Sequence, residues 1–152
     1  MIALLYGHDA VVQGFVRAVY GRHDIEFQGG KSIGVLDGDT LIAGIVFHDW
    51  HPEAGTIEVS VASVSARWLQ RRTIAAIARY VIEGVGAQLV VLRTSEANTR
   101  ACRAADALGF MPHRIPRLRG PSEAEIIYTL PVEEWQAGRF AIGGDHQNAQ
   151  GT

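Results

Sequence analysis

A group of arginines follows a segment of small polar residues, and this combination could bind phosphate. The stretch Ser63–Thr73 places Arg67, Arg71 and Arg72 within the first two turns of an expected helix. The N–H groups at a helix N-terminus have no partners in the helix, and the helix dipole favours an anion there. Cations at this end oppose the dipole by roughly 0.3–1 kcal/mol each. Three together therefore favour a bound pyrophosphate over the alternative, a solvated basic face.

A glutamate just before this stretch is our first candidate for a general base. Apolar residues alternate with polar or small ones through Thr56–Ser63, which assigns Glu58 and Ser60 to the face away from the apolar side chains. A base must reach the proton of an ammonium group or of a bridging water. The alternative for Glu58 is an exposed residue that keeps the strand soluble.

Titratable side chains also surround Trp50. His48, Asp49 and His51 could line the mouth of a substrate site, or could belong to a solvated turn that we expect over His48–Gly55. His48 and His51 are three residues apart, but no third ligand follows at a suitable spacing, so we expect no metal site. We expect Trp50 to pack, although an aromatic ring beside acids would suit a cationic amine.

Two further groups have less specific chemistry. Cys102 lies on an apolar helical face without a neighbouring histidine, so we interpret it as a core residue and not a nucleophile. Arg114, Arg117 and Arg119 could extend a surface for nucleic acid or for a cofactor phosphate. They could equally protect an exposed hairpin from aggregation.

Composition and charge narrow the class of protein. A chain of 152 residues, 47% of them apolar, fits one globular domain. The net charge of −2 argues against general nucleic-acid coating, but residues 63–120 carry ten basic and three acidic residues, a net of +7. The single cysteine excludes an internal disulfide and suits a reducing compartment. Since neither a secretory signal nor 18 consecutive apolar residues occur, we expect a cytoplasmic protein with no membrane contact.

The elements that must position these residues follow from periodicity and turn signals. We expect a mixed α/β (α+β) sheet that carries helices. Its expected strands are Met1–Tyr6, Ser32–Leu36, Leu41–Phe47, Thr56–Ser63, Gln88–Thr94, Phe110–Leu118 and Ala124–Leu130. The expected helices are one that buries Val12, Phe15, Val16 and Val19, one over Ala66–Val85, and one over Asn98–Leu108. The Gly-, Gln- and Asn-rich end predicts disorder from about Gly143.

Over about residues 1–135 the sequence resembles the GNAT (GCN5-related N-acetyltransferase) superfamily. Two motifs carry the resemblance: the strand-to-helix unit Ile57–Tyr80, and Asn98–Phe110, which is similar to the family's Asn-x-x-Ala helix ending in Leu-Gly-Phe. The final hairpin, with Glu134 and Trp135 after it, is also similar. More narrowly, the Arg-Trp-x-x-Arg-Arg-Thr run resembles phage-borne GNAT-like proteins. The resemblance implies a mostly antiparallel central sheet with helices on both faces, in a domain over 1–135 with a tail over 136–152.

The sequence departs from the family pattern at two places. The glycines of the pyrophosphate loop are absent, and Leu69, Gln70, Arg71 and Arg72 stand there instead. The tyrosine that many members use to protonate the departing thiolate corresponds to Ala105. Tyr128, Ser60 or solvent could take that role.

The resemblance implies transfer of an acyl group, most often acetyl, from acetyl-CoA (coenzyme A) to a primary amine by direct attack. On this interpretation Glu58, Ser60 and Tyr128 are the catalytic candidates. The candidates for binding the cofactor are Val61, Ala62, Ser63, Arg67, Trp68, Leu69, Arg71, Arg72, Thr73, Asn98 and Arg103.

Two other functions stay open at this point. The missing glycines and tyrosine favour a GNAT-shaped binding module without transfer activity, and the basic middle segment would suit an enzyme that modifies DNA. We favour a small-molecule or protein amine as the acceptor over nucleic acid, and a monomer or homodimer as the assembly.

Overall fold

One seven-stranded sheet organises the chain in a computed structural model, which describes residues 1–138. The strands are Ile2–Tyr6 (β1), Lys31–Asp37 (β2), Thr40–His51 (β3), Thr56–Ser63 (β4), Leu89–Ser95 (β5), Met111–Gly120 (β6) and Glu123–Pro131 (β7). The α-helices are Asp9–Tyr20 (α1), Arg71–Arg79 (α2), Thr99–Ala107 (α3) and Val132–Ala137 (α4). A 3₁₀ turn over Ala66–Trp68 precedes α2, and a π-helical segment over Tyr80–Val85 follows it.

The strand order is β1-β2-β3-β4-β5-β7-β6, and every neighbouring pair is antiparallel except β4 and β5. The parallel pair arises because the chain crosses from β4 to β5 through α2. Hairpins, which make antiparallel pairs, join β2 to β3 and β3 to β4. The mixed, mostly antiparallel sheet that we expected is therefore confirmed.

The first helix packs very closely on the middle of the sheet. Val12 and Val16 of α1 are fully buried there. A Cβ atom on Gly44 would lie 2.8 Å from Cγ2 of Val16 and 3.0 Å from Cγ1 of Val12, and one on Gly34 would lie 3.0 Å from Cγ2 of Val12. The two glycines therefore set how near α1 lies to β2 and β3.

The main core lies on the opposite face, under α2 and the π-helical segment. Ile57 and Val59 of β4 pack there with Trp68, Val81 and Val90. A neighbouring cluster is covered by α3, where Ala105 packs against Ile126 and Tyr128. Helices thus lie on both faces, as expected.

Two expected element boundaries are wrong. The turn predicted to begin at His48 begins after His51, because β3 continues with an irregular register between those two histidines. The single helix predicted over Ala66–Val85 is broken, since Gln70 adopts an extended conformation (φ −109°, ψ 145°) before α2 starts. Gly86 ends the π-helical segment with a positive φ of 88°.

The described residues contain no helix that is long and apolar enough to span a membrane. The disorder predicted from about Gly143 falls outside the described residues, and the domain boundary at 135 stays a prediction.

Candidate functional site

The sheet opens between its two parallel strands. Pairing of β4 with β5 covers only Thr56–Leu89, Ile57–Val90 and Glu58–Val91. Beyond this point β4 stays paired to β3 as far as Ser63, but no pairing with β5 continues on the other side. Residues 59–63 therefore present an edge of main chain inside the sheet, and an extended ligand can pair with such an edge.

Alternation along β4 decides which side chains reach each face of this opening. Ile57 and Val59 lie in the core under α2, so Glu58 and Ser60 point to the other face. On that face α1 covers β2, β3 and the end of β4, where Ala62 packs against Val16. Glu58 and Ser60 stand at the margin of this cover, so they border an open polar surface.

A row of alternating charges crosses that surface. Nε of Arg93 is 3.2 Å from Oε1 of Glu58, and its Nη1 is 3.4 Å from Oε2 of Glu125. Arg119 reaches the other oxygen of Glu125 at 3.2 Å. The Glu125 side chain is only 9% exposed, so the two guanidinium groups compensate its carboxylate for lost hydration.

A buried histidine stands behind Glu58 and Ser60. His48 is 6% exposed, and its Nε2 lies 2.8 Å from Oγ of Ser60 and 3.7 Å from Oε2 of Glu58. Its Nδ1 lies 2.5 Å from Oδ2 of Asp49. The side chains of Ser60, His48 and Asp49 thus form a continuous hydrogen-bonded chain, which we call the Ser–His–Asp chain.

The irregular end of β3 produces this chain. Asp49 has a positive φ of 55°, which turns its carboxylate back towards the ring of the preceding histidine. The N–H of Asp49 donates to the carbonyl of Gln28 at 2.9 Å, and the Phe27 ring lies 5.2 Å from the imidazole. Asparagine and aspartate adopt positive φ more readily than most other residues. The strand can therefore bulge here without a glycine.

Tyr20, at the end of α1, closes one side of the opening. Its hydroxyl donates to the carbonyl of Val61 at 2.8 Å. Burial raises the pKa of Tyr20. A main-chain acceptor of β4 is therefore occupied by a side chain from the neighbouring helix.

The predicted phosphate segment lies at the same end of β4. The Ser65 hydroxyl accepts a hydrogen bond from the N–H of Arg67 at 3.2 Å, which starts the 3₁₀ turn. After the extended residue Gln70, the first N–H groups of α2 belong to Arg71, Arg72 and Thr73. The first N–H groups of a helix point out of its end, and anions bind at such ends.

The three arginines of this segment separate into two groups. Arg67 pairs with the carboxylate of Asp37 at the end of β2, which takes its guanidinium away from α2. Arg71 and Arg72 line an open groove of about 520 Å³ along α2, together with Arg79. Only the second group presents its charges together.

The other predicted cofactor contacts lie in varied surroundings. Trp68 and Thr73 are buried, whereas Leu69 and Arg103 are exposed. Asn98 caps α3, where its side chain accepts from the N–H of Ala101 at 3.2 Å.

The structure separates the three catalytic candidates. Glu58 and Ser60 lie together on the open polar surface, but Tyr128 lies under α3 on the other face, where its hydroxyl donates to the carbonyl of Cys102 at 3.4 Å. Burial raises the pKa of Tyr128, and the contact with Cys102 adds to this effect. Cys102 itself packs at the edge of that cluster, as its position on an apolar helical face suggested.

Sequence reasoning missed the contact between His48 and Ser60. It placed His48 at the start of a turn, either at the mouth of a substrate site or in solvent, although the apolar run before it, Ile45–Phe47, continues directly into the histidine. The cross-strand register, which brings His48 opposite Glu58, was the missing information. Among the described residues no group of three or more His, Cys, Asp or Glu side chains is arranged to hold a metal ion.

No protein-family profile matches the sequence, and no curated protein matches it. Solved structures do. Spermidine N-acetyltransferase from Vibrio cholerae, in a dodecameric structure, has a TM-score of 0.70 at 10% identity, over 88% of this chain and 95% of that one. The protein yncA from Salmonella typhimurium, assigned as an acetyltransferase and solved with acetyl-CoA, has a TM-score of 0.65 at 16% identity, over 88% and 95%.

A protein from Desulfovibrio desulfuricans that is assigned to the GNAT family has a TM-score of 0.67 at 16% identity, over 87% of this chain and 99% of that one. The agreement extends over nearly the whole of each chain, so it concerns the complete domain. The chain therefore has the fold of the GNAT acetyltransferases, as the sequence motifs implied.

Proposed function

We propose that this protein is an N-acyltransferase that moves an acetyl group from acetyl-CoA to a primary amine. The observation that carries this proposal is the opening between β4 and β5, with the N-terminus of α2 at one end and Glu58 at the other. Main-chain groups, anion-binding amides and a carboxylate lie in sequence along one strand and its following helix. This arrangement suits a long phosphate-bearing thioester and a cationic acceptor.

The residues present fit acetyl-CoA. The main chain of Val61, Ala62 and Ser63 has no β5 partner and, apart from the Val61 carbonyl that Tyr20 occupies, can hold the pantetheine arm as an added strand would. The diphosphate would lie at the first amides of α2, where Arg71 and Arg72 supply charge-assisted hydrogen bonds. Acetyl-CoA supplies the activated acyl group. The similarity to yncA, which was solved with this cofactor, supports the assignment.

The open polar surface beyond the strand opening suits an amine. Glu58 can pair with an ammonium ion and receive its proton directly or through water, and it remains our proposed base. The structural similarity to a spermidine N-acetyltransferase agrees with an amine acceptor. We propose a small-molecule or protein amine.

The departing sulfur needs a proton from elsewhere than the usual tyrosine position. Ala105 is 2% exposed and has no polar group, so α3 supplies no donor there. Of the two predicted donors, Tyr128 is engaged under α3, whereas Ser60 faces the opening. We therefore propose Ser60 for this role in preference to Tyr128.

Calorimetry with acetyl-CoA tests the binding part of the proposal. The double variant Arg71→Ala/Arg72→Ala should bind about 10–100-fold more weakly, because each charge-assisted hydrogen bond contributes roughly 1.5–3 kcal/mol before the solvent screening of exposed side chains. The control Arg22→Ala removes a guanidinium group from an ion pair elsewhere on the surface and should change affinity less than twofold.

Two results would contradict the proposal. Equal affinity of the wild type and the Arg71/Arg72 variant would remove the diphosphate assignment. No thermal stabilisation of the wild type at millimolar acetyl-CoA would remove the acyltransferase proposal itself, since a ligand at 100 times its Kd stabilises the folded state by about 2.7 kcal/mol.

The cytoplasmic location, the monomeric or homodimeric state and the likeness to phage-borne proteins stay predictions. Size-exclusion chromatography with light scattering measures the assembly directly.

A further inference from the structure

The Ser–His–Asp chain has the connectivity of a proton relay, and it lies directly behind the proposed acceptor site. We propose that His48, oriented by Asp49, receives the proton released by the acceptor amine and returns it to the departing sulfur, with Ser60 as the group between. This inference rests on the proposed function and adds a proton path that the sequence did not indicate.

The hydrogen bonds fix the tautomer of His48. A carboxylate can only accept, so Nδ1 must carry the proton that binds Oδ2 of Asp49 at 2.5 Å. In the neutral ring Nε2 is then an acceptor, and the hydroxyl of Ser60 at 2.8 Å donates to it. The Ser60 oxygen keeps its lone pairs for a proton from the opening.

The surroundings of His48 suit a charge that forms and disappears. The groups facing the ring are Asp49 from its own strand, Glu58 and Ser60 from β4, and Phe27 from the preceding loop. Two carboxylates thus flank an imidazolium, one at each nitrogen. Arg93 beyond Glu58 and Arg17, which lies 5.3 Å from the centre of the Phe27 ring, are the nearest cations that the described contacts connect to this group.

The bulge at Asp49 is what brings its carboxylate to Nδ1 of His48. Asp49 holds a positive φ of 55°, which aspartate adopts more readily than most other residues. The bulge also interrupts the pairing of β3 with β4 between His48 and His51. The backbone departs from the regular strand at the one residue whose carboxylate reaches Nδ1.

The proton balance of the reaction is complete with this relay. The acceptor ammonium gives one proton through Ser60, or through Glu58, to Nε2 of His48, and the neutral amine attacks the thioester carbonyl. The C–N bond forms, the C–S bond breaks, and the thiolate takes the proton back from His48 through Ser60. The second proton of the acylated nitrogen leaves through Glu58 to solvent, so one proton is released for each amide formed.

The test measures thiol release from acetyl-CoA with spermidine or ethylamine as probe acceptors, over a range of pH. In His48→Gln we expect kcat to fall about 100-fold, within the 10²–10⁴-fold that a positioned acid or base contributes, while the affinity for acetyl-CoA stays within about twofold. The pH dependence of kcat should differ between the wild type and His48→Gln, because glutamine cannot take up a proton. Asp49→Asn should also lower kcat and alter this pH dependence, because the ring loses the carboxylate that accepts from Nδ1 and holds its tautomer.

Two further variants make the result specific. Glu58→Gln should lower kcat but keep the wild-type pH dependence, since the Ser–His–Asp chain is intact. Glu53→Gln removes a carboxylate from the turn beside β3, where it is 76% exposed, and should behave as wild type. Asp49→Asn keeps the shape of the bulge, because asparagine also tolerates positive φ, so it serves as the test if His48→Gln does not fold.

The outcomes separate the relay from the function on which it rests. If the wild type releases thiol from acetyl-CoA, and if both His48→Gln and Asp49→Asn keep the wild-type kcat and its pH dependence, the relay is wrong. The acyltransferase proposal then stands. If neither amine accelerates thiol release by the wild type and no hydrolysis of acetyl-CoA exceeds the buffer rate, the proposed function is wrong and the relay falls with it.

Discussion

A methyl group added at Gly44 would test how α1 is held over the candidate site. Its Cβ would lie 2.8 Å from Cγ2 of Val16 and 3.0 Å from Cγ1 of Val12, whereas carbon atoms prefer about 3.5–4.0 Å. Both valines are fully buried, so neither can rotate into solvent and α1 must move outward. Overpacking of this kind destabilises a folded protein by about 1–3 kcal/mol.

The matched control is Gly14→Ala in α1 itself. A Cβ atom at Gly14 would meet no atom within 4 Å, and alanine stabilises a helix interior by about 0.5–1 kcal/mol relative to glycine. The same chemical change should therefore have opposite signs at the two positions. Urea denaturation gives both free energies of unfolding, and each kcal/mol corresponds to about 2–4 °C in Tm for a protein of this size.

The displacement of α1 should also reach the opening. Tyr20 ends this helix, so an outward shift would weaken the hydrogen bond from its hydroxyl to Val61. Gly44→Ala should then change acetyl-CoA binding while Gly14→Ala does not. A Gly44→Ala protein as stable as the wild type would refute the close approach of α1 to β3.

Three more predictions follow from the charged and capping groups. Asn98→Ala should destabilise the fold by about 1 kcal/mol through loss of the α3 cap, and unchanged acetyl-CoA affinity by calorimetry would show that Asn98 is not a cofactor contact. Glu125→Gln should destabilise by roughly 1.5–3 kcal/mol in urea denaturation, because Arg93 and Arg119 lose a buried charged acceptor. The pKa of Tyr20 is raised above its ordinary value of 10.0, so its contribution to stability is present below pH 10 and is lost as pH rises further. Tyr20→Phe should therefore lose less stability between pH 9 and pH 11 than the wild type, and an equal loss would contradict the assignment.

The arginine segment illustrates what a linear pattern can and cannot predict. The strand-to-helix transition after β4 was evident from the change of period, and in the structure β4 is followed by a 3₁₀ turn and then by α2. The sequence could not show that Arg67 binds Asp37, because that carboxylate lies 30 residues earlier on another strand. Three neighbouring cations therefore looked equivalent, although only Arg71 and Arg72 line the groove.

Alternation within Thr56–Ser63 was enough to assign Glu58 and Ser60 to one face, because side chains of a strand alternate whatever the strand packs against. The motifs in Ile57–Tyr80 and Asn98–Phe110 likewise indicated the GNAT fold without any tertiary contact. Tertiary structure alone decided which partners these residues meet. The register of β3 brought His48 to Ser60, the bulge at Asp49 oriented the ring, and the layer order put Tyr128 on the opposite face. The local pattern thus determined the face of each element to which a side chain points. Pairing between distant strands determined which side chains meet in the site.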